Sequence, residues 1–176
     1  VANKLQYSKL SHKNKVLSPI ALHHHLVLGL QKPPVWPIPK EEIKDMQSQL
    51  KMSKSVQGSA IFLDDPEEEI HKKMKNAFCV EKEIEYNPVL DWTKHLIFPF
   101  VSEIKIERPE KFGGNVEYDS YSSLEQDFAS GKLHPMDLKN GVSTTLTQIL
   151  APARKHLTSS KALKLKAEFE ALKITR

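Results

Sequence analysis

The run Asp64-Asp65-Pro66-Glu67-Glu68-Glu69 constrains this chain more than any other stretch. Aspartate oxygens accept the free amides at a helix start, proline suits the first turn, and acids favour the positive end of the helix dipole. A helix therefore begins here. Ile70, Met74 and Ala77 follow at helical spacing and predict a buried stripe, while Glu68–Lys72 and Glu69–Lys73 stand four residues apart as candidate ion pairs. The chain divides at this point, into 1–64, read as part of an α/β domain, and 65–176, read as a mainly helical domain.

Upstream of the division, Val1–Lys15 reads as a polar helix end and a lysine-rich turn, and Val16–Leu30 as a buried strand with the loop leaving it. Gln31–Pro39 carries four prolines in nine residues and must be an extended surface loop, in which Trp36 is expected to be partly packed. Lys40–Leu50 has room for a short helical turn. Then comes Lys51-Met52-Ser53-Lys54-Ser55, two lysines and two serines with no acid between them. A flexible, cationic, hydroxyl-bearing loop of this kind suits gripping nucleotide phosphates while negative charge moves onto them. The plain alternative is a solvated surface loop.

Downstream, Pro88–Pro99 reads as a second helix, and Ile104–Glu107 and Asn115–Tyr118 as two strands joined through a turn at Gly113-Gly114. Ser122–Ser130 predicts a helix closed by Gly131. A longer helix starts near His134-Pro135, with Pro152 expected to kink or end it. A last helix over Ser160–Leu172 should turn Leu165, Phe169 and Leu172 inward.

With 176 residues, 39% of them hydrophobic and 27% charged, the chain has the composition of a soluble globular protein. No apolar run is long enough to span a membrane, no signal peptide is expected, and the start at Val1 leads us to expect a fragment. One cysteine, Cys79, excludes an internal disulfide framework and suits a reducing compartment. The net charge of +4 leans toward a polyanionic partner. His23, His24 and His25 are consecutive, and neighbours on a strand alternate sides, so no bound metal is expected there. These histidines are expected to line the nucleotide side of the α/β part.

Several segments in order carry a resemblance. KMSKS leads into Ser59-Ala60-Ile61-Phe62-Leu63-Asp64-Asp65, followed by Asn87-Pro88-Val89-Leu90, Arg108-Pro109-Glu110-Lys111-Phe112-Gly113-Gly114 and His134-Pro135-Met136-Asp137-Leu138-Lys139. Together they resemble the C-terminal half of tyrosyl-tRNA synthetases of the archaeal and eukaryotic type. KMSKS marks class I synthetases in general; the Phe112 and Asp137 segments are similar to the tyrosine-specific members. The resemblance implies an α/β remnant of a Rossmann-type class I catalytic domain, followed by a mainly α-helical anticodon-binding domain with a small β-hairpin.

It also implies a reaction: tyrosine and ATP give tyrosyl-adenylate and pyrophosphate, and the tyrosyl group passes to tRNA(Tyr). Lys51 and Lys54 would be the catalytic, ATP-binding lysines, with Ser53 a further ATP-binding donor. Mg2+ is expected to accompany ATP, with no protein-bound metal. Phe112 would stack on the first anticodon base and Asp137 would accept hydrogen bonds from that guanine, with His134 as cap or neighbour. From the residues alone, Phe112 reads first as core packing beside a turn and Asp137 as a first-turn charge, and the matching motifs reverse that order. The family is dimeric and cytoplasmic, so a homodimer or pairing with a catalytic half is expected, without DNA or membrane partners.

The chain lacks the family's His-Ile-Gly-His-type signature, and the tyrosine pocket is expected upstream of Val1, so these 176 residues alone should not form tyrosyl-adenylate. Val56-Gln57 follows KMSKS where an acid is usual, the connection over Gln31–Gln49 is long and proline-rich, and Val27-Leu28-Gly29-Leu30 replaces Leu-Pro-Gly-Leu. These departures keep a second reading open, a catalytically inactive, diverged copy that binds the anticodon or pairs with a subunit.

Overall fold

The computed structural model describes residues 22, 24–39, 41 and 49–172. The expectations for Val1–Lys15, for the start of the 16–30 strand, for His23, for most of the 40–50 turn and for Lys173–Arg176 lie outside the described residues.

The acidic-proline run does start a helix, α1 (Glu67–Asn76), with Pro66 at its N-cap and three glutamates in its first turn, but no aspartate caps its amides: Asp65 Oδ2 instead accepts Phe62 N–H at 2.8 Å. Ile70, Met74 and Ala77 are buried as expected. The expected ion pairs form differently: Lys73 meets Asp65 at 2.5 Å and Lys72 meets Glu69 at 3.6 Å. Lys73 reaches back past its own helix start because the Asp65 carboxylate, the less exposed of the two, needs a partner more than Glu69 does.

Helix α2 (Pro88–Trp92) is started by Asn87, whose side chain accepts the Val89 and Leu90 amides at 3.1 and 3.3 Å. It runs directly into a π-helical turn, Thr93–Ile97. An antiparallel hairpin follows, β1 (Ile104–Ile106) and β2 (Val116–Tyr118), with Ile104 opposite Tyr118 and Ile106 opposite Val116. Its connection holds a 3-10 turn, Glu110–Phe112, and the positive φ of Gly113 (96°) and Gly114 (70°) requires glycine there. Helix α3 (Tyr121–Ser130) is capped by Ser120 and ends at Gly131, again left-handed.

The centre of the molecule is α4 (Pro135–Leu157). It lies against α1, the hairpin and the π-helical turn. Leu138, Val142 and Leu146 enter one core with Ile70, Met74, Leu90, Trp92, Ile104, Ile106 and Phe128. Gly141 permits the closeness of β1, since a Cβ there would stand 2.7 Å from Ile106 Cγ1. Pro152 does not end α4. Gln148 and Pro152 are both exposed, so the carbonyl that loses its amide partner faces water.

Two expectations fail. The last helix forms as α5 (Ser160–Glu170), but Leu165, Phe169 and Leu172 are 56%, 69% and 63% exposed instead of inward-facing. Their spacing is helical, but an apolar stripe is buried only where a second surface faces it, and none does among the described residues. The described part of 16–30 forms no regular strand; it makes one antiparallel bridge, Leu28 to Lys51. Leu22 and Leu26 are exposed, whereas Leu30 is buried in the helical core. A strand needs a neighbour along its length, and among the described residues only 50–52 supplies one. The fold is thus mostly helical with a small two-stranded antiparallel sheet. Among the described residues no helix is long and apolar enough to cross a membrane. Trp36 is half-buried and meets Phe78 edge-on at 4.9 Å, as its proline-rich setting predicts.

Candidate functional site

The KMSKS loop is held at both ends. At its start, Gly29 N–H donates to Leu50 O at 2.7 Å and Met52 N–H to Val27 O at 2.9 Å. These bonds flank the Leu28–Lys51 pair, so Leu28's own N–H and C=O point away from the loop. Side chains of α2 satisfy them: Leu28 N–H donates to Asp91 Oδ2 at 2.9 Å, and Trp92 Nε1–H donates to Leu28 O at 2.7 Å. A helix here takes the place of the missing strand. At the loop's end the buried Ser59 hydroxyl accepts from Ser53 N–H at 3.0 Å and donates back to Ser53 O, while Leu30 N–H donates to Ser59 O. Sequence reasoning missed Asp91, Trp92 and Ser59 as parts of this site. Only Ser59 carried a local signal, a hydroxyl six residues beyond Ser53.

Between these anchors Lys54, Ser55, Val56 and Gln57 are exposed. Ser53 Oγ accepts Ser55 N–H at 3.3 Å, and Gly58 turns the chain with a φ of 76°. The structure does not bring Lys51 and Lys54 to one cavity. Lys51 lines a recess of about 410 Å3 with His25, Tyr86 and Asp91. Lys54 lines another of about 620 Å3, with Lys72, Lys73, Gln31 and Asn76.

His25 departs from the expected pattern. Its Nε2 lies 2.6 Å from Asp91 Oδ1, and its ring stacks on His95 with centroids 3.8 Å apart. Burial and the neighbouring His25 hold the His95 imidazole below the ordinary histidine range, against the opposing pull of Asp91.

At the other end of the chain, Phe112 is 59% exposed on the hairpin connection, with Lys111 Nζ over its ring at 4.8 Å. The core-packing alternative for this residue is thereby removed. Arg108 braces the connection: its Nε–H donates to Gly114 O at 2.9 Å and its Nη1–H to Lys132 O at 3.0 Å. The second bond ties the Phe112 loop to the turn that leads into α4. His134 is the N-cap of α4, with Nδ1 accepting Met136 N–H at 3.2 Å, so its expected cap role is observed. Asp137 is half-buried in the first turn and has no hydrogen-bond or ion-pair partner among the described residues. Arg108 stood inside a quoted motif, but nothing local assigned it the bracing role. The arrangement offers one exposed aromatic face on a loop and, in the helix turn that this loop is tied toward, one carboxylate without a partner among the described residues, a combination able to stack on a base and accept from its edge.

The family model for tRNA synthetases class I (W and Y) matches residues 23–151. The chain belongs to this class I synthetase family. Its members named tyrosine–tRNA ligase include one from Thermococcus onnurineus, 50% identical over 100% of this chain and 47% of its own length. Another, from Pyrococcus abyssi, is 52% identical over 89% of this chain and 42% of its own. The chain therefore spans less than half the length of these curated class I relatives. Among solved class I structures, tyrosyl-tRNA synthetase from Pyrococcus horikoshii complexed with L-tyrosine aligns with a TM-score of 0.76 and 49% identity, over 84% of this chain and 40% of that one.

Proposed function

We propose that this chain is the part of a tyrosine–tRNA ligase that supplies the KMSKS loop and reads the anticodon. The observation that carries the reading is Phe112, an exposed ring on a loop that Arg108 ties to the turn before His134 and Asp137. Identity of about half the positions with ligases of that name supports the tyrosine class. Phe112 stacks on the first anticodon base and Asp137, without another partner among the described residues, accepts from the guanine edge. His134 holds the first turn of α4 in place for Asp137.

In the complete ligase, tyrosine and ATP react to tyrosyl-adenylate, and Lys51, Ser53 and Lys54 draw charge off the departing pyrophosphate. The loop's ammonium groups have no lone pair for a cation and the loop holds no carboxylate, so Mg2+ would come with the ATP phosphates and no residue of this loop is assigned to it. We place the boundary between a class I catalytic remnant and the anticodon domain at residues 64 and 65, and the working protein in the cytoplasm as a dimer.

The test is tRNA binding. Asp137→Ala should weaken binding of tRNA(Tyr) by roughly 10-fold or more and erase discrimination against a changed first anticodon base. A variant that still binds cognate and anticodon-mutant tRNA as the parent does would defeat the reading. The diverged-copy reading is favoured by one observation, the opening of Lys51 and Lys54 onto separate recesses. Lys51→Ala in a polypeptide that also carries the tyrosine pocket separates the two: slowed pyrophosphate exchange supports an active loop, and an unchanged rate supports the diverged copy.

A further inference from the structure

His25, Asp91 and His95 form a cluster whose imidazoles neither the phosphate nor the anticodon role uses, although Asp91 also anchors Leu28 beneath the KMSKS loop. One ligand atom from each lies within 4.8 Å of the others. His25 Nε2 and His95 Nε2 stand 2.6 and 3.9 Å from the same Asp91 Oδ1. Asp91 and His95 are four residues apart, one turn along α2 and its continuation, and His95 sits within the π-helical turn. Such wide turns recur at functional sites, where they re-aim a side chain. His25 reaches the cluster from 66 residues away in the sequence.

We propose that His25, Asp91 and His95 form a binding site for one divalent transition-metal ion of the zinc class. Two imidazole nitrogens and one carboxylate oxygen are the donor set that such ions take, whereas magnesium and calcium prefer oxygen alone. Asp91 is already oriented for the task. Its Oδ2 accepts the Leu28 amide at 2.9 Å, which leaves Oδ1 turned to both imidazoles. A metal-bound carboxylate is commonly fixed by an outer hydrogen bond of this type.

The rings now lie stacked, 17° from parallel, so their lone pairs do not yet converge on one point. One ring must turn for both to bind, and His25, with a side chain 41% exposed on irregular backbone, is the one with room to turn. The recess of about 410 Å3 that His25 and Asp91 share with Lys51 and Tyr86 leaves space for water or an anionic ligand to complete the coordination. Because His25 precedes the KMSKS loop while Asp91 and His95 belong to the helical part, the ion would staple one to the other.

The test needs neither tRNA nor ATP. This chain is titrated with ZnCl2 by calorimetry and with CoCl2 by visible absorption. One ion per chain is expected, with a Co2+ ligand-field spectrum of low-coordinate nitrogen and oxygen ligation. His95→Ala and His25→Ala, each checked for folding by its melting curve, should weaken binding by roughly 10- to 100-fold or more. His24→Ala should bind as the parent does. No binding by the parent at millimolar metal, unchanged affinity in His95→Ala, or loss of binding in His24→Ala would each overturn the site.

Discussion

Replacing Trp92 by phenylalanine isolates the link between the helical part and the KMSKS loop. The ring is almost fully buried, at 2% exposure, so phenylalanine keeps most of the packing but loses Nε1–H. That hydrogen donates to Leu28 O at 2.7 Å, and Leu28 is the residue bridged to Lys51. A carbonyl left without its partner costs about 1–3 kcal/mol. The smaller ring leaves a gap that adds about 1 kcal/mol more. Against a total stability of about 5–15 kcal/mol the protein stays folded, so the loss can be read locally. Amide hydrogen exchange is the assay. The Gly29 and Met52 amides close the bridge, donating to Leu50 O and Val27 O. If Trp92 holds Leu28 in register, a loss of 1–3 kcal/mol at the bridge speeds their exchange by roughly 5- to 140-fold. Amides in the buried middle of α4, such as Val142 and Leu146, should change only by the global destabilisation. Gly29 and Met52 amides that accelerate no more than those of α4 would show that the bridge does not depend on the helix.

Arg108→Ala removes the donors to Gly114 O and Lys132 O, so the Gly113 and Gly114 amides should exchange roughly 10-fold faster or more, and retained protection would show that the turn needs no brace. Tyr118 is pushed up to about 12 from 10.0, first by burial and then by the Asp127 charge and hydrogen bond. The native state therefore holds this proton more tightly than the unfolded chain does. Its contribution to stability is complete below about pH 10 and is lost between about 10 and 12. Urea unfolding across that range should show a shallower loss for Tyr118→Phe than for the parent, with Tyr121, also shifted upward by burial and Glu125, accounting for part of what remains. Equal slopes would mean that Tyr118 titrates alike in both states.

What the sequence disclosed follows the range of the force involved. The start of α1, the left-handed Gly113, Gly114 and Gly131 and the cap of α4 all rest on neighbours within a few residues, and all were legible. Phe112 and Asp137 were recognisable by resemblance, but their availability, one exposed and the other without a partner, is a property of the folded chain. Lys73 chose Asp65 over Glu69, Arg108 found a carbonyl 24 residues away, and Asp91 met both Leu28 and His25. None of these pairings has a local signature, because each joins polar groups that only the folded chain brings together. The apolar stripe of α5 errs in the opposite direction: its periodicity is plain, but periodicity gives a face and not what covers it.

The anchoring of the KMSKS loop also separates its two lysines. Lys51 lies within the bridge, its neighbours bonded to 27–29, and Leu28 is clamped in turn by Asp91 and Trp92. Lys54 lies beyond Ser53, in the exposed stretch that only turn bonds and the buried Ser59 close. A loop that closes on phosphate must move where it is least held. On the proposed phosphate role, Lys51 would be the lysine whose backbone is held, through Leu28, by the helical part, and Lys54 the one that moves. Their opening onto different recesses fits an open loop of this construction as well as it fits a diverged copy, and the pyrophosphate-exchange rate of Lys51→Ala separates the two. Closure that brings Lys54 toward the recess of Lys51 needs rotation only between Ser53 and Ser59, where Gly58 already occupies a conformation that few other residues adopt.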